Sequence, residues 1–331
     1  MCQIRFSGLL AMTLVLSLMV GACAPALVAS PTAVPPMAMV APTSAPTVAP
    51  SPTPITLTDG LGRSVTLAGP AQRIVSLAPS NTEILFAIEA GDRLVARDDY
   101  SDYPAEAKNV PSIGNLYPKV NTEAVVALKP DLVLAAGVTN PEDVKTLADL
   151  GLTVYATKKD ADLNDIFRDI LAVGKLTGHS AQAEKLIGDL QARVKAVTNK
   201  VSGVTQKPVV FYEFDATEPS KPWTAGPGSF VDGLITLAGG TNAGEVCKAD
   251  YCQISLEQLV AQNPDIIVLG SATYGGQTPE LVAKRAGWKD IKAVRNSAVY
   301  PFDDNLVSRP GPRVVDGLES LAKLFHPELF K

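Results

Sequence analysis

Thr122-Glu123-Ala124-Val125-Val126-Ala127-Leu128-Lys129-Pro130-Asp131-Leu132-Val133-Leu134 and Leu256-Glu257-Gln258-Leu259-Val260-Ala261-Gln262-Asn263-Pro264-Asp265-Ile266-Ile267-Val268 follow one plan. Each begins as a short helix with a glutamate in its first turn, breaks at Pro-Asp, and continues into apolar residues. An apolar run bounded by turn residues reads as a strand buried on both faces, the usual condition of strands in a parallel sheet. One such passage could be chance. Two at matching places imply two related α/β lobes, with a ligand cleft between them.

The flanking residues keep the same rhythm. Residues 55–67 read as a hairpin around Asp59-Gly60-Leu61-Gly62. Arg73 to Leu77 is a strand, and Ser80-Asn81-Thr82-Glu83 reads as a capping box opening a helix to about Ala90, stopped by Gly91. Ser80, Asn81 and Thr82 would cap this helix, whose N-terminus should face the cleft. Leu94 to Ala96 is a strand; Asn140-Pro141 opens a helix ended by Gly151; Thr153 to Tyr155 is the next strand. The middle differs. Residues 162–176 are helical, Gly178-His179 break them, and Ser180 can cap a second helix to about Val201. Its apolar positions, Ala183, Leu186, Ile187, Leu190, Val194, Val197 and Val201, recur at helical steps. At 1.5 Å per residue it is roughly 30 Å long, enough to span two lobes. The α/β rhythm then restarts at Pro208 to Phe214, with a helix capped by Ser229, strands Ile266 to Leu269 and Ala298 to Tyr300, and a last helix opened by Pro312. Trp288 precedes Ile291 and Val294 and reads as core. The expected fold is α/β: two Rossmann-like lobes with mainly parallel sheets, 55–178 and 203–331, joined by one long helix, 179–202, with the ligand cleft between the lobes.

The first 54 residues belong to neither lobe. Leu9 to Val20 is almost wholly apolar and follows Arg5. That is too short for a membrane-spanning helix, which needs roughly 20 residues, and suits a signal peptide over residues 1–22. Val20-Gly21-Ala22-Cys23 resembles a bacterial lipobox, which would make Cys23 the lipidation site and anchor the chain to the cell membrane on its extracytoplasmic side. Nine prolines between Ala24 and Pro54 make residues 23–54 an extended tether without a core of its own.

Composition removes several function classes. A formal charge of −5 argues against a nucleic-acid binder, which wants a basic face. The two histidines, His179 and His326, read as surface residues, too few for a three-imidazole metal site and not placed for a Ser-His-Asp triad. No Gly-x-Ser-x-Gly elbow is present. An extracellular α/β hydrolase is therefore the weaker rival reading, and a structural or adhesion lipoprotein the second. Cys2 would leave with the signal, so Cys247 and Cys252 remain as a candidate disulfide in an oxidising compartment.

The order of motifs over residues 55–331 resembles that of the class III substrate-binding proteins of ABC importers, which deliver cobalamin, ferric siderophores or haem. The marks are Asp59-Gly60-Leu61-Gly62-Arg63, Arg73-Ile74-Val75-Ser76-Leu77-Ala78-Pro79-Ser80, Tyr100-Ser101-Asp102-Tyr103-Pro104, Ala127-Leu128-Lys129-Pro130-Asp131-Leu132-Val133 and Gly287-Trp288. Within that family the chain is most similar to periplasmic vitamin B12-binding proteins. The resemblance implies a monomeric protein that is not an enzyme, without a cofactor or metal site of its own, working with a permease and its ATPase. It places Tyr100, Trp223 (in Lys221-Pro222-Trp223-Thr224-Ala225-Gly226), Tyr251 and Arg309 at a corrinoid site. Where cobalamin binders carry a further tryptophan this chain has Gly114-Asn115-Leu116-Tyr117, so Tyr117 substitutes or the ligand differs. Glu123 and Glu257 would contact arginines of the permease. They also stand where carboxylates gain about 0.3–1 kcal/mol from the helix dipole, which is a purely structural account of both. Flat aromatics suit a flat amide-fringed macrocycle, while Arg309 and Arg313 suit an anionic ferric siderophore. Haem with a tyrosine ligand is the remaining alternative.

Overall fold

A computed structural model of the chain describes residues 53–331. The signal segment, Cys23 and nearly all of the tether lie outside the described residues. Among those described, no helix is long and apolar enough to cross a membrane.

The two repeated passages fold alike, down to single hydrogen bonds. A residue in the left-handed region closes off each helix, Lys129 at φ 47° just after the C-cap Leu128 of helix Thr122–Ala127 and Asn263 at φ 45° as the C-cap of helix Leu256–Gln262. The aspartate that follows then pins the neighbouring parallel strand. Asp131 accepts from the backbone N–H of Arg73 at 2.9 Å and Asp265 from that of Val209 at 2.8 Å. Each aspartate returns its own N–H to the carbonyl of the same residue. The Pro-Asp step thus sets the register of one strand against the next in both lobes.

The first lobe carries a four-stranded, all-parallel sheet in the order Leu94–Ala96, Ile74–Ser76, Leu132–Ala135, Val154–Ala156. The second carries six strands. Val209–Asp215 pairs in parallel with Ile266–Leu269 and with Thr241–Asn242, and Val299–Pro301 continues the parallel part. An antiparallel ribbon, Trp223–Ala225 with Tyr251–Gln253, forms the far edge. A hairpin of Ile55–Thr58 and Ser64–Leu67 precedes the first lobe; Asp59 Oδ1 closes its turn by accepting from the N–H groups of Leu61 and Arg63.

Helix Leu163–Thr177 ends on Gly178, whose φ of 74° lies in the left-handed region that a residue without a Cβ adopts at least cost. Helix Ser180–Val201 follows at once. It buries Ala183, Ile187, Leu190, Val197 and Val201, and these side chains share one core with the helix Leu163–Thr177 and with the C-terminal helix Val314–Phe325. The linking helix is held along its length by both lobes, so its apolar face acts as the common wall of the molecule.

Local signals misplaced some details. Ser80 to Glu83 form no capping box: the helix is Pro79–Ala87, its N-cap is Ala78, and no side chain caps it. Pro79 already fills a first-turn position where a missing N–H costs nothing, and Ser80 to Glu83 are buried inside the helix. The long helix likewise has His179, not Ser180, at its N-cap, and the last helix starts at Val314 rather than Pro312. His326 is not a surface residue: it is 4% exposed and its Nε2 lies 3.1 Å from the Gly239 carbonyl. His179 is half-buried, with Nδ1 3.0 Å from the Thr177 carbonyl. Trp288 is fully buried and donates from Nε1 to the Pro219 carbonyl at 3.0 Å.

Candidate functional site

Three parallel strands of the first sheet end on the same side, and the residue runs that follow them enter one cavity: Ala78–Ser80, Ala136–Val138 and Lys158–Asp160. Carboxyl ends of parallel strands are where open α/β sheets bind ligands. The second lobe supplies the opposite wall from Phe214, near the end of its central strand, from Phe230 and Val231 at the start of a helix capped by Ser229, from Tyr251, and from Val307–Pro310. The cavity holds about 370 Å³, within the roughly 300–1,000 Å³ of small-molecule sites. Most of its exposed wall is carbon.

Three ion pairs run from one lobe to the other; two of them, through Arg309 and Lys159, start from the cavity wall, and the third, Glu83–Arg313, lines a neighbouring cavity. Arg309, only 8% exposed, gives Nη1 to Asp102 Oδ1 at 2.6 Å and Nη2 to the Tyr274 hydroxyl at 3.0 Å. Burial is the largest single influence on Asp102 and opposes its ionisation, but the hydrogen bond from Arg309, the charge of that guanidinium and smaller contributions together outweigh it and hold the carboxyl below its ordinary range. Arg313 grips Glu83 with two bonds, 2.6 and 2.9 Å, and lies 3.9 Å over the Tyr103 ring. Lys159 reaches Asp250 at 3.4 Å, with both side chains largely in solvent. The segment from Arg309 to Arg313 therefore ties the second lobe to the helix Pro79–Ala87 and the Tyr100–Pro104 loop of the first.

That loop is fixed from below by buried hydroxyls. Asp98, 1% exposed, accepts from the N–H of Tyr100 at 2.7 Å and from Ser101 Oγ at 2.5 Å; Thr82 bridges onward toward Ser76 and Ser101. At the other end of the cavity, Asp160 faces Asp169 of helix Leu163–Thr177. Burial first, and the charge of Asp169 next, push the Asp160 carboxyl up to about 8. Burial also raises Asp169, against the hydrogen bond it receives from Asp160. The pair shares protons near neutrality instead of carrying two charges.

Of the residues singled out by sequence, Tyr251 and Arg309 line the cavity. Tyr251 packs edge-on against Phe214, ring centroids 5.5 Å apart, and burial followed by the charges of Asp250 and Asp304 raises its phenol. Trp223 is not in the cavity wall, yet it shares a sheet face with Tyr251: Trp223 pairs with Gln253 and Ala225 with Tyr251 in the antiparallel ribbon. Both rings are 42% exposed. Tyr100 is 52% exposed, its hydroxyl 3.4 Å from Asn115 Nδ2, and Tyr117 is 85% exposed; neither lines the cavity. Glu123 and Glu257 are exposed in the first turns of their helices, which Asn121 and Ser255 cap. Cys247 and Cys252 are joined, Cα atoms 6.0 Å apart, and the loop between them is docked by the Gly226 N–H on the Asp250 carbonyl at 2.8 Å. Sequence reasoning passed over Phe214, Phe230, Tyr274 and the run Lys158–Asp160. The position of that run, directly after a buried parallel strand, was the available signal. Among the described residues no cluster of three His, Cys, Asp or Glu side chains could hold a metal ion.

Comparison with known proteins places this geometry. The family model for periplasmic binding proteins matches residues 74–306. The uncharacterized ABC transporter substrate-binding lipoprotein YvrC of Bacillus subtilis is 32% identical over 84% of this chain and 87% of its own. The crystal structure of the periplasmic vitamin B12-binding protein BtuF of Vibrio cholerae superposes with a TM-score of 0.67 at 29% identity, covering 79% of this chain and 99% of that one. The periplasmic heme-binding protein RhuT from Roseiflexus sp. RS-1, in apo form, superposes with a TM-score of 0.71 at 26% identity, covering 78% of this chain and 99% of that one.

Proposed function

The chain belongs to the periplasmic binding protein family, whose members bind substrates for ABC importers and are not enzymes, and from that premise we propose that it captures a corrinoid outside the cytoplasm and hands it to a permease. The observation that supports this cargo most directly is the pairing of a largely apolar interlobe cavity with two flat rings, Trp223 and Tyr251, on one face of the ribbon beside it. Rings held on a sheet offer contact area to a flat macrocycle at little entropic cost. The similarity to BtuF of Vibrio cholerae supports the same reading. Cys23 would carry the lipid that keeps the protein at the membrane, with residues 23–54 as its tether. The protein would act as a monomer. Glu123 and Glu257, one on each lobe and each free to reach outward, would meet the permease.

A titration with cyanocobalamin followed by tryptophan fluorescence tests the cargo. One-to-one binding that weakens about tenfold or more in Trp223→Ala is the expected result; no binding at micromolar concentrations would sink the corrinoid reading. The second reading, haem or a ferric siderophore, draws on the likeness to RhuT. Tyr251 suits it less well as an iron ligand, because burial and the charges of Asp250 and Asp304 raise its phenol and so oppose formation of the phenolate that would bind iron.

A further inference from the structure

We propose that the cleft receives an anionic group of its cargo, a carboxylate or a phosphate diester, against Lys158 and Lys159. The inference rests on the cargo-binding reading above and specifies the charge that the site selects.

The charges around the cavity are uneven. Lys158, Lys159 and Arg309 line it, and the only acidic residue in its wall is Asp160. Arg309 is compensated by Asp102 at 2.6 Å. Lys159 has Asp250 at 3.4 Å, long and exposed, a pair that an incoming anion can replace at little cost. Lys158 is exposed and forms no ion pair among the described residues. The helix Pro79–Ala87 also opens onto the cavity through Pro79 and Ser80, adding the positive end of its dipole to the same wall.

The two lysines sit on a fixed platform. The Thr157 N–H bonds the Ala135 carbonyl at 2.9 Å, and the Gly60 N–H bonds the Ala156 carbonyl at 2.7 Å. Gly137 lies so close beneath the loop that a Cβ there would stand 2.2 Å from the Lys159 nitrogen. Asp160 has one carboxyl oxygen buried without a partner. The charged groups that act on it are Asp169 and Arg168 of helix Leu163–Thr177; Lys158 and Lys159 of its own loop and Arg309 of the second lobe share the cavity wall with it. Because burial and Asp169 keep the Asp160 proton on near neutrality, the wall presents cations without an opposing carboxylate. Above that range both aspartates ionise and the preference for an anion declines.

The test uses the full-length protein and the Lys158→Gln/Lys159→Gln variant. The probes are cyanocobalamin, dicyanocobinamide, which lacks the nucleotide loop and its phosphate, and inorganic tripolyphosphate, which needs no cargo assignment. The double variant is expected to bind cyanocobalamin about tenfold more weakly and dicyanocobinamide as before. Tripolyphosphate is expected to raise the Tm of the wild type and not of the variant. In the wild type, cyanocobalamin affinity should decline as pH rises through 8, and Asp160→Asn should flatten that decline. Equal losses for both corrinoids in the variant, or none for either, would overturn the inference. If neither corrinoid binds the wild type, the cargo reading fails by itself and tripolyphosphate decides: a Tm shift lost in the variant sustains the anion site, and no shift, or one that persists in the variant, removes it.

Discussion

Glu83 and Arg313 show how a single buried pair can govern the molecule. Glu83 is 2% and Arg313 13% exposed at the side chain, so removing the arginine would strand a carboxylate that burial already disfavours. Breaking such a pair from one side costs about 3–5 kcal/mol. Arg313→Ala should therefore lower the Tm markedly, and Glu83→Gln/Arg313→Met should recover most of the loss; calorimetric melts of both variants check this. The local sequence could not announce the pair. Ser80-Asn81-Thr82-Glu83 has the same letters whether Glu83 closes a cap or reaches an arginine far along the chain, and only the fold chooses. The aspartate pair offers a second residue-scale expectation. In the unfolded chain Asp160 and Asp169 titrate as ordinary carboxylates, whereas in the fold Asp160 is pushed up to about 8 and Asp169 to about 7. The native state then holds protons that the unfolded chain has released, so this contribution is complete below the ordinary carboxylate range and is lost as pH rises toward 8. Melting temperature should fall between acidic and mildly alkaline pH, and Asp160→Asn should reduce that slope. A slope unchanged in the variant would show that the pair does not couple to folding.

Loops of the cleft are placed by close backbone approach, an element-scale property. Gly137 lets the strand end Ala135–Val138 lie directly against Lys158 and Lys159, and Gly226 does the same for the disulfide loop, where a Cβ would come 2.0 Å from the Ala249 carbonyl oxygen. Gly137→Ala must push the lysine loop away. Overpacking of this kind costs about 1–3 kcal/mol, so the protein should still fold, with a lower Tm and a cargo affinity reduced about as far as by removing the lysines. Unchanged binding would mean that the loop gives way without consequence for the site. The elements themselves were largely legible. Pro130-Asp131 and Pro264-Asp265 announced a turn before a buried strand, and the structure adds what the aspartates do there, pinning Arg73 and Val209. The cleft was legible in outline only. Tyr251 and Arg309 fall in the wall, but Phe214 and Phe230 read from sequence as ordinary strand and helix core, because nothing local says on which side of a sheet end a ring will emerge.

Across the whole molecule, one long helix and the two interlobe arginine pairs, Glu83–Arg313 and Asp102–Arg309, oppose a wide hinge motion. Helix Ser180–Val201 is packed by both lobes, and Glu83–Arg313, Asp102–Arg309 and Lys159–Asp250 cross from one lobe to the other. Cargo would then be reported to the permease by the spacing of the two lobes, not by a large closure. Glu123 and Glu257 are suited to read that spacing, since each stands at the same point of a repeated helix, exposed, on its own lobe. Exposed ion pairs add about 0–1 kcal/mol each, so the value of two proposed docking contacts would lie in orientation and in the rate of encounter. Neither touches the cavity. Glu123→Ala and Glu257→Ala should therefore leave cargo affinity within error of the wild type, lower the Tm by no more than about 1–3 °C through the lost helix-dipole contact, lower cargo uptake in cells or proteoliposomes several-fold each, and lower it further together. Restoring charge by Glu257→Asp should recover part of the uptake, whereas Glu257→Gln should not. A single variant that loses cargo binding would place its glutamate in the structure of the lobe, and full uptake by the double variant would move the docking surface elsewhere on the protein.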